Sequence, residues 1–496
     1  MLHAEVIRPV PDLIRAGAAA HGDRTALSDR AGSTTHARLA ERTARLAGHL
    51  RALGATDGDV VLLLLPTGVP LVEAYLAVVR AHAVAACIAA VSTADDVAFA
   101  LADCRPRLVV TDAEGAALVA AAGTGVPVVR VGDPLQPGPV PDTLPLDDPA
   151  FLLYTSGTTG RPKGVLLTQR SLLWVAAAAW LPFLGLTAAD HLLVPLPLSH
   201  SYPLDLTLAA LAAGGRVHLQ ERFSTAETAR LLHAGEVTVL VGVPTTFAYL
   251  LESGASTRPA GLRLCVSAGA LLPPALKARV EERLGVPLVD AYGATETSTA
   301  VALTTPGGAS PAGSCGLPPP GVACRVVDPA TGADLPPGAE GELIVRSPGV
   351  MLGYHDRPAE TASALRGGWY RTGDLARQDR NAFLTITGRV KDIIVRGGEN
   401  IAPAEIERVV IEHPDVADCA VAARPDRLLG EVPVLYAVAR TGRTPQPGDL
   451  LAWCHDRLPR FKVPAEAHVV EAIPRTASGK VRRHLLAPPT PIEEHL

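Results

Sequence analysis

Cysteine is sparse in this chain. The seven residues, at 87, 104, 265, 315, 324, 419 and 454, are scattered, and no two stand in a Cys-x-x-Cys spacing. An odd, dispersed set offers neither a disulfide framework nor a zinc site, and is expected of reduced thiols in a cytoplasmic protein. A basic excess is also missing: 45 Lys and Arg stand against 50 Asp and Glu, a net charge of −5. No basic stripe is present, so neither nucleic acid nor an anionic membrane is an expected partner. Residues 1–9 have no basic segment followed by an apolar run, so no signal peptide is expected. The longest uncharged apolar run, 172–186, is too short to cross a bilayer and contains Pro182, so it reads as a buried helix. Aromatic residues make up only 4% of the chain while apolar residues make up 48%, which describes a soluble protein with Ala/Leu/Val cores.

At 496 residues the chain exceeds one ordinary core, and at least two domains are expected. Residues 36–53 carry Leu39, Leu46, Leu50 and Leu53 on one helical face. The run 60–65 is continuously apolar, as in a strand buried on both faces. A helix at 71–80 and apolar runs at 84–91, 107–111 and 126–131 continue the alternation, which predicts a parallel sheet with crossover helices. Prolines between 134 and 149 mark a connector. A second alternating α/β unit spans about 151–300, with a helix at 171–181 and strands at 192–198, 216–219, 237–243 and 262–267. Short strands between 323 and 386 predict a small β-rich subdomain, and residues 391–496 read as an α+β unit. The expected class is therefore α/β: a large N-terminal domain, 1–390, of two alternating units plus the β-rich subdomain, and a small mobile α+β C-terminal domain, 391–496.

Five stretches carry the chemistry. The first is Tyr154-Thr155-Ser156-Gly157-Thr158-Thr159-Gly160-Arg161-Pro162-Lys163-Gly164, between two strand-like runs. Its glycines let backbone N–H groups approach a ligand, its hydroxyls are rotatable donors, and Lys163 adds a point charge. That suits a polyphosphate, although Gly164 and a strand follow the lysine where a Walker loop needs Ser or Thr and a helix. The second is Asp290-Ala291-Tyr292-Gly293-Ala294-Thr295-Glu296-Thr297, at a strand end where α/β sheets place ligands. Tyr292 offers a face for a purine and Glu296 a hard oxygen for Mg²⁺, though either residue alone fits a plain turn. The third, Trp369 to Leu375, holds Asp374, which suits a ribose diol or an Asx-turn equally. The fourth, Gly388-Arg389-Val390-Lys391-Asp392, is followed by Gly397-Gly398-Glu399-Asn400. The fifth is the basic loop Pro474 to Arg483, which includes Ser478-Gly479-Lys480.

Taken together and in order, these stretches resemble the adenylate-forming superfamily of acyl-CoA synthetases, peptide-synthetase adenylation domains and luciferases, over roughly 12–484. The resemblance implies that a carboxylate attacks the α-phosphate of ATP to give acyl-AMP and pyrophosphate, and that a phosphopantetheine thiol then takes the acyl group. It implies that Thr155, Ser156, Gly157, Thr158, Thr159, Gly160 and Lys163 hold phosphates, and that Thr295 touches the α-phosphate while Glu296 holds Mg²⁺. Tyr292 would stack on adenine near Gly269 and Ala270, beside Asp290, Ala291 and Gly293, with Asp374 and Arg389 on the ribose. Lys480 would bridge carboxylate and α-phosphate, and its loss should cost about 3 kcal/mol or more of transition-state stabilisation. Lys391 falls at the family's hinge, about which the small domain would turn so that 397–400 line a pantetheine tunnel.

For the acid, Pro197-Leu198-Ser199-His200-Ser201-Tyr202 resembles a pocket segment of the family, with Ser199 replacing an aromatic residue and Pro203 a frequent glycine. His200, Ser201, Ala268, Gly269 and Gly293 are candidates for the acyl site. Asp205 is expected on a helix walling that pocket, where a buried carboxylate calls for a cation. The favoured expectation is therefore an amino acid whose amine meets Asp205, as in β-amino-acid-activating enzymes of macrolactam pathways, with an acyl carrier protein as acceptor. Alternatively, Asp205 pairs within the protein, and the chain ligates a neutral aryl, short- or medium-chain acid to free coenzyme A. A nucleotide-binding regulatory protein with a dead site is the alternative of another class.

Overall fold

The computed structural model describes residues 2–141, 144–155, 162–253, 259–397, 399–475 and 481–486. The chain divides into two compact units. The first comprises residues 1–272, 276–324 and 345–370, and the second 273–275, 325–344 and 371–496. The second unit thus gathers 325–344 and 371–390, expected in the large domain, with the C-terminal residues.

Two sheets make the first unit. In the seven-stranded one, Val60–Leu64 lies between parallel neighbours Val84–Cys87 and Leu108–Thr111, as its unbroken apolar sequence predicts. Val128–Arg130 extends the parallel array on one side, and Pro149–Thr155 extends it on the other. The latter strand turns back as Lys163–Thr168, an antiparallel partner. The eight-stranded sheet runs Thr299–Leu303, Leu288–Ala294, Leu264–Ala268, Val239–Gly242, His191–Val194, Arg216–Leu219, and then a hairpin of Thr25–Asp29 and Gly32–Thr35. That hairpin was not anticipated from the sequence. Its strands are four to five residues long and follow Asp23, with no extended apolar run to announce them.

Helices Val69–Arg80 and Ser201–Ala212 are buried nearly all round, and their side chains share one core with strands of both sheets. Tyr75 Oη donates to Leu198 O at 3.0 Å, which ties one helix to the segment entering the other. The 172–186 run is helical, as expected, but its centre, Ala176–Trp180, is a π-helix between Gln169–Val175 and Leu181–Leu184. The strand expected over 192–198 stops at Val194, because Pro195 and Pro197 bring no N–H to a ladder.

In the second unit, residues 374–378 of strand Trp369–Gln378 pair antiparallel with Leu384–Arg389. A separate five-stranded sheet contains Ile394–Arg396, Glu399–Ile401, Val416–Asp426, Gly430–Ala439 and Glu466–Val469. Ile394, Ile401, Ile406, Leu435 and Leu450 fill the core between this sheet and its helices, Pro403–Val410 and Pro447–His455. No helix among the described residues is long and apolar enough to cross a membrane.

Candidate active site

The phosphate-loop candidate joins two antiparallel strands, Pro149–Thr155 and Lys163–Thr168. Thr155 is in register with Lys163 and Tyr154 with Gly164, which brings the two ends of the loop side by side. Ser156, Gly157, Thr158, Thr159 and Gly160 lie outside the described residues. Lys163 Nζ forms an ion pair with Glu360 and sits 5.2 Å from the centre of the Tyr354 ring. Hydrogen bonding to Lys163 holds the Glu360 carboxyl below its ordinary range. Tyr154 Oη donates to Asp103 Oδ2 at 3.1 Å, and Asp103 pairs with Arg357 at 2.9 Å.

The second candidate stretch is a tight reversal. Strand Leu288–Ala294 ends in a 3₁₀ turn, Thr295–Thr297, and the chain returns as Thr299–Leu303. Ser298 and Thr299 both take positive φ, 52° and 100°. Gly293 is required here, since a Cβ on it would sit 1.4 Å from Thr299 O. Thr297 Oγ1 donates within the turn to Ala294 O and Thr299 O, each at 3.0 Å. Glu296 is half-buried; its Oε1 accepts from Tyr354 Oη at 3.0 Å, and its carbonyl accepts from Met351 N at 2.8 Å. Burial pushes the Tyr354 phenol up, so it stays a donor to Glu296.

No cluster of three or more His, Cys, Asp or Glu that could hold a metal occurs among the described residues. A half-buried carboxylate such as Glu296 suits Mg²⁺, which takes one or two carboxylates together with substrate phosphates and water. The donor set around Glu296 therefore fits Mg²⁺ delivered with ATP.

The acyl candidates gather around the same turn. His200 precedes helix Ser201–Ala212, and Ser201 Oγ donates to Thr295 Oγ1 at 3.4 Å. Ala268 ends strand Leu264–Ala268 in register with Ala291. Gly269 follows with φ 85°, exposed, and Ala270 is half-buried. Asp290 and Ala291 are buried, while Tyr292 and Gly293 are half-buried. Burial pushes Asp290 up to about 7. The structure thus brings Ser201, Thr295, Glu296, Tyr292 and Gly293 together at one strand end.

Asp205 does not fit the amine expectation. It is fully buried, and its Oδ2 accepts from Trp180 Nε1 at 2.7 Å and from Thr299 Oγ1 at 2.9 Å. Burial raises its carboxyl well above the usual range, which favours the neutral acid, and Oδ1 has no hydrogen-bond partner among the described residues. Through Oδ2, pairing within the protein is the arrangement observed.

In the second unit, the register Asp374↔Arg389 sets the two ribose candidates opposite one another, and Arg389 Nε meets Asp374 Oδ1 at 2.9 Å. Asp374 is buried, and its N–H donates to Thr372 Oγ1 at 3.0 Å. Glu342, also buried, pairs with Arg371 and accepts from Gly373 N at 3.3 Å, which fixes the loop before Asp374. Lys391 is exposed in the turn Val390–Asp392, and Glu399 is exposed on strand Glu399–Ile401. Lys480 lies outside the described residues.

Sequence reasoning missed Tyr354, Glu360, Trp180 and Thr299. Tyr354 and Glu360 reach Glu296 and Lys163 across long separations, and no local pattern marks them. Trp180 stood in a run read only as core.

Residues 14–355 match the family model for AMP-binding enzyme, and 405–480 match that for its C-terminal domain. The feruloyl-CoA synthase of Amycolatopsis sp is 36% identical, over 92% of this chain and 94% of its own length. The sulfoacetate–CoA ligase of Cupriavidus necator is 36% identical, over 97% of each. Among solved structures, o-succinylbenzoate CoA synthetase from Bacillus subtilis, in complex with its acyl-adenylate intermediate, superposes with a TM-score of 0.87 at 30% identity, covering 97% of this chain and 98% of that one.

Proposed function

Because this chain belongs to the AMP-binding enzyme family, we propose that it is an AMP-forming acid–thiol ligase whose acceptor is free coenzyme A. Its substrate in this reading is a carboxylic acid without a required amine, of the aryl or short- to medium-chain kind. The observation that carries the choice is Asp205. The feature that favoured an amino acid already has one of its oxygens, Oδ2, bonded within the protein by Trp180 and Thr299. The names feruloyl-CoA synthase and sulfoacetate–CoA ligase support the same acceptor. Carrier-protein transfer has no comparable support.

In the first half-reaction a carboxylate oxygen bonds to the α-phosphorus and the bond to pyrophosphate breaks. The need there is charge neutralisation at oxygens rather than covalent help. Thr155 to Gly160 and Lys163 would hold the β- and γ-phosphates, for which Lys163 exchanges Glu360 for phosphate oxygens. Thr295 would donate to the α-phosphate, and Lys480 would meet the carboxylate and the α-phosphate together. Tyr292, with Gly269, Ala270, Asp290, Ala291 and Gly293, would frame adenine. Asp374 and Arg389 would take the ribose hydroxyls. Mg²⁺ held by Glu296 would withdraw charge from the phosphates. His200, Ser201 and Ala268 would border the acid. In the second half-reaction the thiol sulfur bonds to the acyl carbon and AMP leaves. The division at 390 and a turn about Lys391 belong to this proposal as the means of exchanging the two half-reactions.

A panel of aryl, aliphatic and β-amino acids in ATP–pyrophosphate exchange, followed by addition of CoA or a phosphopantetheinylated carrier protein, tests it. Exchange with at least one acid, a CoA thioester as product, and a loss of a hundredfold or more in Lys480→Ala are expected. Acylation of the carrier but not of CoA refutes the acceptor. Exchange with none of the acids refutes the activity.

A further inference from the structure

The buried contact of Asp205 has a role left over once amine recognition is removed. Two consecutive non-glycine residues with positive φ, one of them β-branched, form a strained arrangement that persists only where its surroundings enforce it. Ser298 and Thr299 are such a pair, and both are buried. Backbone bonds account for part of the enforcement: Ser298 N donates to Thr295 O at 3.0 Å, and the ladder continues at Gly293↔Ala300. The side chain of Thr299 is held by Asp205, on a helix 94 residues earlier in the chain. Asp205 is held in turn by Trp180, within the π-helical turn, and Trp180 packs against Tyr202 at 5.8 Å between ring centres. Tyr202 Oη donates to Val266 O at 3.1 Å, on the strand that ends at Ala268. The other oxygen of Asp205, Oδ1, has no hydrogen-bond partner among the described residues.

We propose that Asp205 is a positioning residue for the Thr295–Glu296 turn: through Thr299 it locks the Ser298–Thr299 backbone, and so fixes where the Glu296 carboxylate and the Thr295 hydroxyl stand. The proposal rests on the reading of those two residues as magnesium ligand and α-phosphate donor. In this proposal Asp205 touches neither nucleotide nor acid. It acts at one remove, as outer hydrogen-bond partners of metal ligands do. Because a neutral carboxyl is favoured at this position, an asparagine oxygen can accept from Trp180 and Thr299 in its place. An amine-binding role would not survive that exchange, and a positioning role does.

The test is direct binding of ATP, with Mg²⁺ and with EDTA, by calorimetry on the full chain, beside thermal unfolding. The variants are D205N, D205A, T299S, T299V and E296Q. Wild type is expected to bind ATP more tightly with Mg²⁺ than with EDTA. D205A and T299V should each lose roughly tenfold or more of Mg·ATP affinity while keeping their affinity in EDTA, following E296Q. D205N and T299S should restore it. T299V leaves Asp205 in place, so it carries the test if D205A does not fold. Folded D205A or T299V with wild-type Mg·ATP affinity overturns the positioning role alone. So does a loss of equal size in EDTA, which marks general damage. If E296Q itself changes nothing, the metal reading of Glu296 fails and the proposal falls with it.

Discussion

Replacing Gly293 by alanine should break the reversal that carries Thr295 and Glu296. The new Cβ would stand 1.4 Å from Thr299 O and 2.4 Å from Thr299 C, and both are backbone atoms that no rotamer change can move. Restoring an ordinary contact near 3.5 Å requires a displacement of roughly 2 Å. That displacement opens the Thr297 Oγ1 bond to Thr299 O and the pairing of Gly293 with Ala300. The expected loss is about 4 kcal/mol or more, in the range reserved for core disruption. Gly269 is the control. Its φ of 85° disfavours alanine, but the nearest atom to a Cβ there is Val243 Cγ1 at 3.7 Å, so only the backbone cost of about 1–2 kcal/mol applies. Urea unfolding followed by tryptophan fluorescence compares the two, since Trp174 and Trp180 are buried in the same unit. Equal destabilisation of Gly293→Ala and Gly269→Ala, to within about 0.5 kcal/mol, refutes the clash argument.

His191 is buried on a strand; burial, then Arg216 and His218, lower it to about 4. A histidine depressed in the folded state contributes stability above its unfolded value near 6.5 and loses it as pH falls toward 4. Wild type should therefore lose about 2 kcal/mol more than His191→Phe between pH 7 and 5, measured by denaturant titration at both. Arg389→Ala removes one partner of the buried Asp374 carboxylate and one proposed ribose contact. ATP affinity by calorimetry should fall about tenfold, and an unchanged affinity sinks the ribose role.

Much of this architecture could be read from apolar runs and punctuation. Val60–Leu64 is buried on the faces its composition demanded, and helix His36–Ala52 buries Leu39 and Leu50 as its leucine spacing predicts, whereas Leu53 lies past its last turn and is exposed. The strand-flanked loop at 154–164 and the strand-end position of Tyr292 were legible because turn chemistry is local. What stayed hidden depends on distance or backbone form. The Thr25–Thr35 hairpin finds its partner only in Arg216–Leu219. The π-helical turn at Ala176–Trp180 has no spacing of its own to distinguish it from α. Asp205 was placed correctly on a helix, yet its direction was set by Trp180, 25 residues away, and by Thr299. A sequence shows that a carboxylate is present, while only packing shows which side chains donate to it.

The edge hairpin also constrains how the molecule is made. Ser28 and His218 are neighbours in the finished sheet but 190 residues apart in the chain. A ribosome adding 5–20 residues per second needs roughly 10–40 s to supply the second after the first. During that interval the nascent chain carries an orphan hairpin whose docking edge does not yet exist. The parallel strands from 60 to 130 can associate in the meantime, since their partners follow closely. Synthesis therefore imposes an order of assembly in which the N-terminus is among the last parts to settle, and truncations after residue 130 but before 219 leave it unpaired.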